Sequence, residues 1–376
     1  MSSPSQVGKL TIFVFTITLL SFVVESQLTQ YVQTTLSYSQ PYFIFYLVHS
    51  CFMLAFPCHL LYLALTTGRP TSTYLKSLKL AVIDHFSPRR SVGSLEAAQF
   101  PWYRFAFLII AVTAAVTVPA LLWFIAMTLS SVTDVTAIWN TNAFFAYVLS
   151  VKVFGLKWET RKLVVYGGST AEEAPPSSEA ASHPHSPSEP SMPLLGDLLT
   201  FIASIGYAGY QVHYKKYAAL AEPEDTIDDH YEPLPDPEHP PNASTDDALP
   251  PLPYGLYSNM MTFAIGFCTM VLLWIPLPIL HWFNVEPFSL PNDLKTTGAI
   301  LCIIVSGSIF NAGFMILLAS LGPIITSVGG LLTIVLVFIS DVVLGNTDAL
   351  TIWTVVGSAT IVAAFGVLAY DILYKR

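Results

Sequence analysis

Four ionisable side chains sit near the ends of long apolar runs in this chain: Glu25, Asp134, Lys152 and Asp341. A carboxylate in such a place is costly because hydrocarbon cannot solvate it, so each acid is a candidate to carry a proton or a cation. Asp341 is the first candidate, being flanked on both sides by apolar residues in LVFISDVVLG. Anchoring at a membrane interface is the competing account of all three acids. Lys152 reads as a snorkelling anchor, with binding of an anionic substrate as the alternative. Two stripes of neutral polar residues accompany these charges. Thr133, Asn140 and Tyr147 are spaced by seven, as are Thr326, Thr333 and Ser340, which places each trio on one helix face. Such stripes either line a polar substrate cavity or hydrogen-bond packed helices to one another, and spacing does not choose between the two.

The elements that would position these residues are apolar helices. Stretches near 8–27, 41–66, 103–127, 132–154, 194–214, 257–281, 297–319, 322–345 and 350–373 are predominantly apolar, and a bilayer core of ~30 Å needs about 20 such residues in a helix. The composition agrees. Charged residues make up 11% of the chain, against about 25% in an ordinary soluble domain. The fold class is therefore an all-α integral membrane protein, and a soluble enzyme is excluded. The first stretch follows Lys9 and lacks a small-x-small cleavage site at Glu25-Ser26-Gln27, so it reads as a retained signal anchor. Cys51, Cys58, Cys268 and Cys302 all lie in apolar stretches and form no C-x-x-C pair, which points to packing rather than metal or redox chemistry.

Two linkers divide the chain. Residues 167–193 and 221–253 contain 4 and 10 of its 25 acids and none of its Lys or Arg. Rich in Ser, Pro and Glu, they cannot bury apolar surface and read as disordered. His183 and His185 in the first read as solvated loop residues. The net charge of −9 therefore belongs to the linkers, and no basic patch suits nucleic acid.

Orientation follows from Lys and Arg in short loops. Arg69, Lys76, Lys79, Arg89 and Arg90 mark the 68–100 loop as cytoplasmic, together with the N-terminus and the region of Lys157, Arg161 and Lys162. Nine crossings would then put Lys215-Lys216 and Lys375-Arg376 outside, against the rule. An additional crossing between Arg161 and Gly168 would repair both, but RKLVVYGGS there has only four apolar residues in a row. An internal repeat points the same way. FIAMTLSSVTDVTAIWNTNAFFAYVLSVKVFG parallels ILLASLGPIITSVGGLLTIVLVFISDVVLG, ending at Gly155 and Gly345. The second copy is followed by a full apolar stretch and the first only by the stub. Two inverted repeats of five helices would fit; four plus five does not.

Other features are less specific. His49 and His59 are ten apart and face different ways, so they do not share a metal. Pro57, Pro119 and Pro276 permit kinks, and Gly329-Gly330 permit close backbone approach. No H-E-x-x-H, G-x-S-x-G, P-loop or paired intramembrane carboxylates occur, so no enzyme, cofactor or metal is expected.

Three segments carry a resemblance: VESQLTQYVQTTLSYSQPYFIFYLVHSCFMLAFP, FAYVLSVKVFGLKWETRKL and GPIITSVGGLLTIVLVFISDVVLG. In them the chain resembles the drug/metabolite transporter superfamily, in the EamA-like, solute carrier family 35 F-type branch of fungi and animals. The resemblance implies ten helices in two inverted repeats, cytoplasmic termini, a central substrate cavity and a vacuolar or Golgi membrane. The domain reading is a first repeat at 1–166, a linker at 167–193, and a second repeat at 194–376 containing the acidic loop 221–253. Relatives would carry a full fifth helix at the stub, which is shorter by roughly 15–20 residues than a crossing requires. Motifs of nucleotide-sugar carriers are absent. The expected partners are a small polar metabolite and the bilayer, with a homodimer left open. The competing function is a non-transporting, receptor-like or scaffolding membrane protein whose acidic linkers dock partners.

Overall fold

A computed structural model describes residues 4–86, 99–156, 192–220 and 252–344, with isolated helical positions at 359 and 362. The two linkers, the 161–169 stub and, apart from those two positions, the 350–373 stretch lie outside the described residues. Among the described residues there are helices and turns and no strand. Four helical runs are long and apolar enough to cross a bilayer: Gly8–Thr35, Pro41–Thr67, Trp102–Leu129 and Leu294–Val343. A fifth, Leu256–Leu272 with Pro276–Trp282, qualifies as a pair bent by 41°. The chain is an α-helical membrane protein.

Several expected helices are interrupted, for identifiable reasons. Helix α1 (Pro4–Gln30) runs into a π-helical turn at Tyr31–Thr35. Helices α2 (Pro41–Cys51) and α3 (Ala55–Thr67) are separated by a 3-10 turn at Phe52–Leu54. Pro57 lies just beyond, and its missing N–H leaves the Met53 carbonyl without a helical partner. Helix α4 (Thr71–Phe86) follows. It occupies part of the 68–100 segment that the sequence marks as a basic loop. Tyr74, Leu78 and Val82, spaced by four, are buried on one face while Lys76 and Lys79 are exposed on the other. This is the amphipathic pattern of a helix lying on the bundle.

Helix α5 (Trp102–Leu129) is continuous, with Pro119 inside it. The next apolar stretch is two helices, α6 (Val132–Asn140) and α7 (Asn142–Phe154). At Thr141 the backbone tightens to a bond to the third residue back, Thr141 N–H to Ile138 O at 3.0 Å, and the Thr141 hydroxyl donates to the same carbonyl at 2.7 Å. Helix α8 is Pro193–Tyr217, α9 is Leu256–Leu272 and α10 is Pro276–Trp282, with Pro276 at the first position of its helix.

Helix α11 (Leu294–Gly330) continues through Leu331 into α12 (Leu332–Val343). A straight helix of these 50 residues would be about 75 Å long, more than twice a bilayer core of ~30 Å. It is not straight. Gly322 takes φ 78° and ψ 171°, a conformation open to glycine and favoured by the following Pro323, which disfavours helix in the residue before it. At Leu331 the chain repeats the tightening seen at Thr141, with Leu331 N–H bonded to Val328 O at 3.1 Å. Thr141 and Leu331 are 190 positions apart, the same offset as Gly155 and Gly345.

Packing crosses the middle of the sequence. α1 lies along α11 and α8 along α5, the two most extensive helix pairs. α2 and α9 meet each other and both touch α5 and α11, while α7 packs on α8 and α11, and α12 on α1 and α6. Phe45, Val48, Phe124, Met127, Ile303 and Leu318 are fully buried between them. Phe13, Phe107, Leu198 and Val305 point outward, a surface suited to hydrocarbon rather than water. Cys58 and Cys302 are also exposed, so of the four free cysteines these two do not pack the interior.

At one end of the bundle a loop fastens α2. The Glu286 carboxylate accepts from Tyr42 N–H and Phe43 N–H, both at 3.0 Å, satisfying orphan donors at the helix N-terminus. Gln40 Nε2 donates to Pro287 O and Ser289 Oγ, and Tyr38 OH to Ser289 O. Burial raises the Glu286 carboxyl above its usual range, against the pull of those two N–H groups. Burial and then the Glu286 charge push the Tyr38 hydroxyl up to about 12, so it stays a donor.

Candidate substrate cavity

The helix interruptions at Thr141 and Leu331 bring polar residues of separate elements together in the centre of the bundle. Asn140 ends α6 and Thr333 begins α12. Asn140 Nδ2 donates to Thr333 Oγ1 at 3.1 Å and to Thr136 O at 2.8 Å, and Thr333 Oγ1 donates to Gly330 O. Beside this pair, buried Gln211 of α8 links two more elements. Its Nε2 donates to Asn142 Oδ1 at 3.1 Å and its Oε1 accepts from Ser327 Oγ. Thr141 Oγ1 and Ser204 Oγ share a further bond at 2.8 Å. Each interhelical bond of this kind contributes about 0.6 kcal/mol in a membrane, and together they fix the rotation of α6, α7, α8, α11 and α12.

A cavity of about 30 Å³ opens against this network, lined by Asn140, Asn142, Thr326, Ser327, Thr333 and the ring of Tyr207, among others. Thr326 Oγ1 is buried there with no hydrogen-bond partner. A second cavity of about 30 Å³ adjoins it, lined by Glu25, His49, Trp123, Asn311 and neighbouring rings. Phe22, Trp139, Tyr207 and Phe310 belong to both walls, so the two spaces are separated by a partition of aromatic rings. The rings of Trp139 and Tyr207 pack at a tilt of 38°, 4.6 Å between centroids. Each space holds at most a couple of waters. Anything larger fits at this centre only if these rings part.

The six stripe residues divide here. Asn140, Thr326 and Thr333 line the first cavity; Thr133, Tyr147 and Ser340 do not. Thr133 donates to Asp341 Oδ2 at 2.7 Å. Tyr147 is buried in a separate apolar cluster with Ala143, Val151 and Val328, and Ser340 is half-buried on α12. Seven residues are about two helical turns, or roughly 10 Å of rise, so Thr133 on α6 and Ser340 on α12 lie well along their helices from a small cavity that Asn140 and Thr333 border. Tyr147 lies beyond the interruption at Thr141.

The three acids occupy three different environments. Asp341 accepts from Gln27 Nε2 and Thr133 Oγ1, both at 2.7 Å, and ties α12 to α1 and α6. Asp134 belongs to a helix cap. Ser131 Oγ accepts from Asp134 N–H at 3.1 Å and donates to the Asp134 carboxylate at 2.7 Å, which satisfies the first turn of α6. Glu25 is 4% exposed, faces the second cavity and has no hydrogen-bond or charged partner among the described residues. Lys152 is exposed at the end of α7, outside both cavities.

Gln211, Asn142, Ser327, Trp123 and Tyr207 did not follow from stripe spacing. A signal for α8 does exist in the sequence. Tyr207, Tyr210, Gln211 and Tyr214 recur at three and four residues in an otherwise apolar run, one helix face with hydrogen-bonding heads. Lys215 at the end of this helix donates to Ala319 O at 2.7 Å, close to the break at Gly322. His49 and His59 stay apart as expected. His49 is in the central wall, its Nδ1 bonded to Phe45 O, and His59 bonds Asn259.

No family model matches the chain. Part of it is similar to an uncharacterized transporter of Schizosaccharomyces pombe, 33% identical over 141 residues. The aligned part is 33% of this chain, and the chain spans 40% of the length of that relative. A solved structure described only as "Crystal structure of protein" is alike in fold, with a TM-score of 0.52, 12% identity and 98% of both chains covered. At that identity the likeness concerns the fold alone.

Proposed function

We propose that this chain is a secondary transporter that moves a small polar solute across an internal membrane by alternating access at the central cavity. The observation that carries this reading is the convergence of Asn140, Thr326 and Thr333 on one enclosed space between interrupted helices. Broken helices at mid-bundle are the usual way for a transporter to expose backbone and polar groups to a substrate. The partial similarity to a protein named as a transporter supports the same reading. So does the reciprocal packing of α1 on α11 and α8 on α5, which is what two inverted repeats of a drug/metabolite transporter would produce. Membership of the EamA-like, solute carrier family 35 F-type branch, and a vacuolar or Golgi location, belong to this proposal as well.

The test is uptake by the purified full chain in liposomes, using a panel of small polar metabolites. Asn140→Leu and Thr333→Val should each lower the initial rate about ten-fold while protein yield and thermal midpoint change little. Unchanged rates in both variants would reduce the polar pair to a packing contact.

A further inference from the structure

We propose that the central site selects an organic cation, with Glu25 as the counter-charge and the surrounding rings as its wall. This names the substrate class of the transport site proposed above and rests on that reading.

The argument begins with a carboxylate that lacks a partner. Glu25 lies on α1 in the middle of the bundle, 4% exposed, with no hydrogen bond and no opposite charge among the described residues. Such a group stays charged only where a cation neutralises it and otherwise holds a proton, so an incoming cation would displace that proton. The space around it is built to contain it. Gly307 of α11 faces it, and a Cβ at that position would come within 2.6 Å of both Glu25 Oε1 and Val48 Cγ1, so the glycine leaves room for the carboxylate. Two donors in the same wall are also unused. Among the described residues Trp123 Nε1 and Tyr207 OH are buried without partners, and both residues line the cavity with Glu25.

Charge and shape then limit the ligand. Neither central cavity has a Lys or Arg in its wall, so an anionic solute would meet a carboxylate with no compensating cation. His49 is the remaining titratable group with a hydrogen-bonding ring there. Its Nδ1 must carry a hydrogen to bond the Phe45 carbonyl at 3.1 Å, and its ring is packed at 4.4 Å from Phe45 and 4.6 Å from Phe52. Trp123, Trp139, Tyr207 and Phe310 present rings to the space, and aromatic faces attract ammonium groups, more strongly when water is excluded. A solute with an ammonium head for Glu25 and acceptor atoms for Trp123 Nε1–H and Tyr207 O–H pairs the carboxylate and both buried donors. The adjoining Asn140 and Thr326 side then receives its polar remainder, once the ring partition opens.

The test uses three probes of nearly one shape, benzylammonium, benzyl alcohol and benzoate, with the purified full chain in nanodiscs. Binding is read by quenching of tryptophan fluorescence. Benzylammonium should bind at least ten-fold more tightly than the other two. Glu25→Gln should remove that preference, and Glu25→Asp should retain part of it. Benzylammonium binding no tighter than benzyl alcohol in the wild-type chain overturns the proposal, whatever the variants do. So does an undiminished preference in Glu25→Gln. Liposome uptake separates this from the transport reading. Glu25-dependent cation binding without uptake of any solute leaves the cation site standing and removes transport. Glu25-independent uptake of neutral or anionic solutes leaves transport standing and removes the cation site.

Discussion

Two carboxylates on membrane helices, Asp341 and Glu25, look alike in sequence and are both buried in the fold, but they differ in their hydrogen-bond partners. Asp341 spends its acceptors on Gln27 and Thr133, at 2.7 Å each, and so joins α12 to α1 and α6. Glu25 has no partner among the described residues and faces a cavity. The first arrangement satisfies a buried charge with neighbouring donors, as structural acids require. The second leaves the carboxylate without a partner among the described residues, as the cation site proposed above requires. An acid inside an apolar run is therefore only a candidate; the number of donors already committed to it separates a clamp from a binding group. On this comparison the coupling role that the sequence suggests first for Asp341 passes, as a proposal, to Glu25.

The largest expected effect is at Glu25. Glu25→Gln should reduce uptake of the cationic substrate at least ten-fold with little change in thermal midpoint, because no bond is lost. A large loss of stability with normal uptake per folded molecule would reverse the comparison. Asp341→Leu should do the opposite. It orphans Gln27 Nε2 and Thr133 Oγ1, costing about 1–3 kcal/mol for each donor left unsatisfied, while uptake per folded molecule stays within about two-fold of wild type. Thermal unfolding in detergent, paired with liposome uptake, reads both.

A smaller effect is expected at the cap that holds the third acid. Ser131→Ala removes the N-cap of α6 and should cost about 1 kcal/mol, seen as a modest drop in thermal midpoint; an unchanged midpoint would mean that Asp134 is not held by capping.

The smallest effect concerns Glu286, which is partly open to water. Its folded carboxyl is raised by burial, so protonation favours the folded state. The wild type should lose stability relative to Glu286→Gln as pH rises through the carboxylate range and beyond the raised value, and keep its advantage below. A wild-type advantage over Glu286→Gln that grows with pH would contradict the burial argument.

Much of this architecture is legible in the sequence because hydrocarbon imposes simple demands. Long apolar runs have to be helices, and the runs at 8–27, 41–66 and 103–127 lie within helical spans found in the structure. The Asn140 and Thr333 pairing was also readable, since both are central in parallel stripes. What spacing could not reveal is where the helices break. Thr141 and Leu331 interrupt α6–α7 and α11–α12 without any proline at those positions, and spacing does not tell how far along each stripe a small cavity reaches, which leaves Thr133, Tyr147 and Ser340 outside it. The role of Asp134 was legible by another route. Ser131 and Asp134 are spaced as a capping pair, a local signal that outweighs membrane depth. That Glu25 has no partner among the described residues is a tertiary fact, since it depends on which side chains of α2, α5, α8 and α11 fail to reach it.

The most direct test of the account is the accessibility of the centre from both sides of the membrane. Thr326→Cys, placed in a chain whose Cys51, Cys58, Cys268 and Cys302 have been replaced, puts a thiol in the wall of the cavity. In proteoliposomes of defined orientation, a membrane-impermeant maleimide should label it from either side, and a saturating substrate should slow labelling from both. Labelling from one side only, or a rate indifferent to every solute that the protein takes up, would contradict an alternating-access site at this cavity.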